Sequence, residues 1–123
     1  MNDIRVLVVD DSLVSRKILI KMLKNIGLND VVEAVEGKDG LTKVRNGDVK
    51  FIITDWNMPE MDGLEFIQAI KKEPQYQGIP ILMVSTRSEK EDIITAIKTG
   101  ANSYMAKPFT RKVLKEKILS MLQ

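Results

Sequence analysis

The sequence contains no cysteine and no histidine. The first absence excludes a disulfide scaffold and any thiolate metal site. The second removes the commonest general base and the commonest transition-metal ligand. Any metal would therefore be held by oxygen, which points to Mg²⁺, Mn²⁺ or Ca²⁺. Aromatic residues make up only 5% of the chain, with one tryptophan, Trp56. No apolar run approaches the roughly 20 residues of a membrane span. The N-terminus has no signal-peptide pattern, so a soluble cytoplasmic protein without a membrane partner is expected. Lys and Arg number 19 against 17 Asp and Glu, a net charge of +2. That excess is too small to argue for nucleic acid. What remains is 123 residues, 44% apolar and 29% charged. This composition suits one globular domain over 1–123, and no feature demands a dimer.

Apolar runs alternate with segments of helical period along the whole chain. Strands are expected at Ile4 to Val9, Val31 to Val35, Phe51 to Thr54, Ile79 to Val84 and Ser103 to Ala106. The first helix follows Ser12 as N-cap, presents Ile18, Leu19, Met22, Leu23 and Ile26 on one face, and ends at Gly27. The second spans about Lys38 to Arg45. The third carries Gly63, Phe66, Ile67 and Ile70 at i, i+3, i+4, i+7 and is ended by Pro74. The fourth spans about Glu89 to Thr99, closed by Gly100, and the fifth about Arg111 to Leu122, capped by Thr110. Five β-α units in succession predict a three-layer, doubly wound α/β fold with a parallel sheet. Strands one, three and four are continuously apolar, as doubly buried strands are. Strands two and five carry Glu33, Asn102 and Ser103 and read as edges. The flavodoxin-like order 2-1-3-4-5 meets that condition. It places a switch point between strands one and three, where ligands bind at the C-terminal strand ends.

Asp10 and Asp11 end strand one, Asp55 ends strand three and Lys107 ends strand five. Each alone reads as an ordinary polar turn or surface residue. Brought to one sheet edge they become a site. Two unit charges ~4 Å apart at an effective dielectric near 20 interact by about 4 kcal/mol. Three clustered carboxylates therefore call for a cation or a raised pKa. Mg²⁺ suits one or two carboxylates plus waters and a phosphate oxygen. Lys107 could face a phosphoryl group, and its bond to Pro108 could be cis or trans. Ser85 and Thr86, at the end of strand four, either solvate the loop or donate to an anion.

These residues occur in the segments Val-Val-Asp-Asp-Ser at 8–12, Thr-Asp-Trp-Asn-Met-Pro-Glu-Met-Asp-Gly at 54–63, Val-Ser-Thr at 84–86, Gly-Ala at 100–101 and Lys-Pro-Phe at 107–109. In this order they resemble the receiver domain of bacterial two-component response regulators, over essentially the whole chain. Trp56 to Pro59, Tyr104 and the early C-terminus resemble the single-domain chemotaxis regulators of that family. The resemblance implies that Asp55 accepts a phosphoryl group from a sensor histidine kinase. It implies that Asp11, Asp55 and the Asn57 carbonyl bind Mg²⁺, which Mn²⁺ could replace, with Asp10 acting through water. Lys107, Ser85 and the amides of Trp56, Asn57 and Thr86 would hold the phosphoryl oxygens. Ser85 and Tyr104 would form the switch. Lys90, Ile93, Tyr104, Ala106 and Lys117 would form the partner face, an exposed Ile and Tyr flanked by lysines, suited to a short amphipathic or acidic peptide. Those lysines also read simply as a solvated face.

Arg87 stands where the chemotaxis regulators carry an acid, which leaves dephosphorylation and any phosphatase partner open. The fifth helix lacks the early Glu-Leu pattern of receivers that dimerise to drive DNA-binding domains, and no second domain is expected. The leading reading is a phosphorylation-controlled binding module, a signalling domain rather than a turnover enzyme, acting on a flagellar motor switch protein. The alternative is a relay or phosphate sink serving a histidine phosphotransfer protein. An aspartyl-phosphate hydrolase would place an acid at the position of Asn57. A flavin-binding domain would need a phosphate-cradling loop where Asp10 and Asp11 would repel the phosphate.

Overall fold

Five strands of four or five residues alternate with five helices in the computed structural model, which describes residues 4–122. The expected domain span of 1–123 extends beyond the described residues at both ends. The strands are β1 (Val6–Val9), β2 (Val31–Ala34), β3 (Phe51–Thr54), β4 (Ile81–Ser85) and β5 (Ser103–Ala106). The helices are α1 (Leu13–Ile26), α2 (Gly37–Asn46), α3 (Gly63–Lys72), α4 (Lys90–Thr99) and α5 (Arg111–Met121). All strand pairs are parallel, in the order β2-β1-β3-β4-β5.

The pleat sends alternate side chains of each strand to opposite layers. Leu7, Val9 and Ile52 join a core with Phe66, Ile67 and Ile70 of α3 and Ala96 of α4. Val6, Val8, Phe51 and Ile53 join a second core with Leu19 and Leu23 of α1 and Leu114 and Ile118 of α5. β1, β3 and β4 are buried at every position, whereas β2 and β5 are partly exposed edges. Registration of Val9 with Thr54 ends β1 and β3 level, so Asp10 and Asp55 leave the sheet side by side.

Local chemistry fixes the helix ends. Ser12 Oγ accepts from Ser15 N–H at 3.1 Å, and Gly27 closes α1 with φ 106°, a conformation glycine adopts without a Cβ clash. Thr110 Oγ1 accepts from Val113 N–H at 3.2 Å. Glu36, rather than a residue nearer Lys38, caps α2 through Lys38 and Asp39 N–H. Several boundaries differ from the sequence reading. β1 begins at Val6, and β2 stops at Ala34 because Val35 N–H turns to the Asp39 carboxylate at 2.9 Å. β4 begins at Ile81, since Ile79 N–H bonds the Tyr76 carbonyl and extends the preceding turn. α3 ends at Lys72, and Pro74 opens a 3-10 turn, Pro74–Tyr76. In α1 the buried stripe is Arg16, Leu19 and Leu23, while Ile18 is 51% exposed.

Candidate functional site

One oxygen from each of Asp10, Asp11 and Asp55 lies within 4.8 Å of the others. Asp10 is buried, Asp55 half-buried and Asp11 exposed, so the cluster opens to solvent on one side. Asp10 and Asp55 are already oriented. Asp10 Oδ1 accepts from Ser12 N–H at 2.9 Å. Asp55 Oδ1 accepts from Trp56 N–H at 2.6 Å. Lys107 arrives from the end of β5 and joins the two: its Nζ is 3.2 Å from Asp10 Oδ2 and 3.1 Å from Asp55 Oδ2. A third bond, 3.1 Å to Ser15 Oγ, completes the ammonium's donors. The Lys107–Pro108 bond is cis. Carboxylates from β1 and β3 and an ammonium from β5, 97 residues from Asp10, thus share one sheet edge.

The electrostatics follow from burial. Burial pushes the Asp55 carboxyl above its ordinary pKa, against the Lys107 ammonium and the Trp56 N–H, which pull it down; Asp10 adds to the rise. Burial pulls the Lys107 ammonium down, but Asp55 and Asp10 together outweigh it, and its pKa ends above the ordinary value. A lysine locked in its charged form beside a carboxylate that resists ionisation is a site short of positive charge. A hard divalent cation among the three carboxylate oxygens would supply it, and an all-oxygen donor set fits Mg²⁺ or Mn²⁺.

Beside the cluster lies a cavity of about 330 Å³, bounded by Asp10, Asp55, Thr86 and Lys107 at its polar end. Ser85 is fully buried, and its Oγ accepts from Arg87 N–H at 3.1 Å. Asn57 is exposed on the loop after β3, and its carboxamide oxygen is bound by Arg87. Tyr104 packs edge-on against Trp56, ring centroids 6.5 Å apart.

A family model, the response regulator receiver domain, matches residues 6–119. The chain belongs to the response regulator receiver domain family. It is 50% identical over 121 residues to a chemotaxis protein CheY homolog of Campylobacter jejuni, covering 96% of this chain and 92% of that one. It is 45% identical to the chemotaxis protein CheY1 of Helicobacter pylori, covering 93% of each. Among solved structures it is similar to the chemotaxis response regulator CheY4 of Vibrio cholerae. The TM-score there is 0.89 at 33% identity, over 96% of this chain and 98% of that one.

Within this receiver the partner-face residues divide. Lys90 is exposed at the start of α4, while Ala106 and Lys117 are half-buried. Ile93 and Tyr104 are not exposed as the sequence reading expected. Ile93 packs on the core, and Tyr104 is 7% exposed with its ring turned inward. The hydroxyl donates to the Arg87 carbonyl, which offers the buried ring a polar partner.

Three residues near the site escaped the sequence reading. Ser15 bonds Lys107. Arg16 is buried, and its Nη1 donates to the Asp10 carbonyl at 2.7 Å while its Nε pairs with Glu33 at 3.0 Å. An arginine at i−3 and i−7 from Leu19 and Leu23 was the available signal, since charge on a buried face demands partners. Arg87 was noted only as a departure. Its contacts, described below, have no trace in the local sequence.

Proposed function

We propose that the protein is a phosphorylation-activated response regulator in which Asp55 accepts a phosphoryl group from a sensor histidine kinase. The observation that carries this reading is Lys107 bonded at once to Asp10 and Asp55, inside a cluster of three carboxylates. Asp10 has the same pair of contacts, a backbone N–H on Oδ1 and Lys107 on Oδ2, so Asp55 is assigned as the nucleophile on its match to the family motif and its greater access to solvent. Its oxygen attacks the phosphorus of a phosphohistidine. The new O–P bond forms as the P–N bond breaks, and the electron pair leaves with the imidazole nitrogen. No general base is needed, because a carboxylate nucleophile has no proton to give up on attack and the chemistry depends on positioning and charge neutralisation.

Asp11, Asp55 and the carbonyl of Asn57 would hold Mg²⁺, with Asp10 acting through water. The ion, for which Mn²⁺ could substitute, supplies charge neutralisation for the phosphoryl oxygens. Lys107 swings from Asp10 and Asp55 to a phosphoryl oxygen, keeping one ionic partner throughout. Ser85 and the amides of Trp56, Asn57 and Thr86 complete the cradle, and Ser85 and Tyr104 pass the change on. The output is the face of Lys90, Ala106 and Lys117, with Ile93 and Tyr104 beneath it until the switch exposes them, offered to a flagellar motor switch protein. The family match, and relatives named as chemotaxis proteins, support that choice. A phosphatase would end the signal. We place the protein in the cytoplasm, where a sensor kinase would reach it, with a receiver domain over 1–123; no helix among the described residues is long and apolar enough to cross a membrane.

Incubation with acetyl phosphate and Mg²⁺, followed by intact mass, tests the reading. One phosphoryl group is expected on the wild type and none on Asp55→Asn. Trp56 fluorescence should change with Mg²⁺ and again with the donor. A folded wild type that shows neither signal would refute the proposal. Label passing on to a histidine phosphotransfer protein, with no gain in affinity for a motor-switch peptide, would favour the relay.

A further inference from the structure

Arg87 lies outside the carboxylate cluster, yet it contacts Asn57, Trp56, Ser85, Tyr104 and Asp92. Its Nε and Nη2 donate to Asn57 Oδ1 at 3.2 and 3.1 Å. The guanidinium carbon lies 4.4 Å from the centre of the Trp56 ring system. Nη1 faces Asp92 Oδ1 at 3.6 Å, in the first turn of α4. Its backbone N–H donates to Ser85 Oγ, and its carbonyl accepts from the Tyr104 hydroxyl. We propose that Arg87 is a positioning residue that clasps the loop after β3 to the start of α4, giving Asp55 a route to α4 that does not require the Tyr104 ring to move. The inference rests on the receiver function proposed above and names how that site is coupled to its output.

The argument starts at Asp55. Trp56 N–H holds Oδ1 at 2.6 Å and Lys107 holds Oδ2 at 3.1 Å. The phosphoryl cradle proposed above draws both Lys107 and the Trp56 N–H from the carboxylate to phosphoryl oxygens, so the chain at Trp56 must adjust. Trp56 is only 4% exposed and is packed edge-on against Tyr104. It cannot shift without disturbing the guanidinium stacked on it. Only Ser88 and Glu89 separate Arg87 from Lys90, the first residue of α4. Movement of the Arg87 side chain therefore reaches the helix through the chain itself, with the Asp92 pair as a second, weaker strand.

The parts of the clasp are not equal. The pair with Asp92 is long, and the arginine side chain is 45% exposed, so solvent screens it. Stacking on a buried indole and forking onto one carboxamide oxygen use the planar guanidinium, which an ammonium cannot imitate. Lysine at this position should therefore behave like alanine, although it keeps the charge. Asparagine at 92 should change little.

The test reads backbone amide exchange across Lys90 to Ile94, with intact mass in parallel, before and after acetyl phosphate and Mg²⁺. In the unphosphorylated protein, Arg87→Ala and Arg87→Lys should both exchange about fivefold faster there than the wild type. With Asp55 modified to the wild-type extent, both should lose most of the exchange response of α4, and Asp92→Asn should keep it. Full modification of Arg87→Ala with a wild-type α4 response overturns the coupling while leaving the receiver function standing. Rescue by lysine overturns the stacking argument and with it the clasp. A wild type that takes up no phosphoryl group overturns the receiver reading and the coupling together.

Discussion

Lys107 is the residue on which the acidic cluster balances. Without it Asp10 and Asp55 would face each other across a poorly solvated edge. Even with it, burial holds the Asp55 pKa above its ordinary value. A carboxyl whose pKa is higher folded than unfolded binds its proton more readily in the folded state. Its contribution favours folding below the unfolded pKa and is lost as pH rises through the folded one. Asp55→Asn should therefore stabilise the protein at neutral pH by on the order of 1 kcal/mol, and by nothing near pH 3, where both forms are neutral. Urea unfolding at the two pH values measures this. Glu33 shows the opposite sign. Hydrogen bonds from Lys17 and then Arg16 hold its pKa below the usual value. Its stabilisation is present above the ordinary glutamate range and lost as pH falls through the folded pKa. Its side chain is 33% exposed, so Glu33→Gln should cost about 0.5 kcal/mol at neutral pH. Thermal unfolding of that variant should converge with the wild type in acid. The identities of Asp10, Asp11, Asp55 and Lys107 were legible in the sequence because charge at the end of an apolar strand is conspicuous. Ser15 and Arg16 were not, because their partners lie on other elements.

Helix α3 carries the loop that frames the site. Asp62 Oδ1 accepts from Glu65 N–H at 2.9 Å, and Glu65 Oε1 accepts from Asp62 N–H at 3.0 Å. This reciprocal cap satisfies two helix-end donors. Asp62→Ala should cost about 1 kcal/mol in chemical unfolding. Gly63 has a separate role. A Cβ there would lie 2.2 Å from the Asp55 carbonyl oxygen and 2.9 Å from Trp56 Cα. Backbone atoms cannot step aside, so Gly63→Ala should destabilise by about 2 kcal/mol or more and slow phosphorylation of Asp55, measurable by intact mass over time. The sequence showed Gly63 in an apolar helix stripe and, with Asp62, at the end of the 54–63 segment that follows Asp55. Its close approach to Asp55 is a property of how α3 packs after the turn. The ends of β2 and β4 were misplaced for the same reason: the Asp39 carboxylate and the Tyr76 carbonyl capture amides that an apolar run alone would assign to a strand.

At the scale of the whole molecule, the reversal of strand order between β1 and β3 makes one crevice, and the carboxylates stand along it. Three carboxylates share the one Lys107 ammonium, so binding of a further cation should feed directly into stability. Mg²⁺ at a hundredfold its dissociation constant should stabilise the protein by about 2.7 kcal/mol, and a chelator should abolish the gain. Asp11→Asn should weaken the effect strongly, since Asp11 is exposed and is one of the proposed ligands of the ion. Thermal unfolding with and without the chelator measures both.

The sequence by itself determined the five β-α units, the parallel sheet, its edge strands and the residues at its C-terminal edge, and the order 2-1-3-4-5 was compatible with those edges. These follow from local periodicity, from continuous against interrupted apolar runs, and from the rule that ligands gather at a switch point. Tertiary structure alone decided that Tyr104 lies inward and that Ile93 is partly covered. It alone decided that Arg16 is buried against Asp10 and Glu33, and that Arg87 spans Asn57, Trp56 and Asp92. Each of these depends on which side chain fills the space between two elements. Periodicity along one segment gives the face that a residue occupies, and packing between segments decides what stands opposite it.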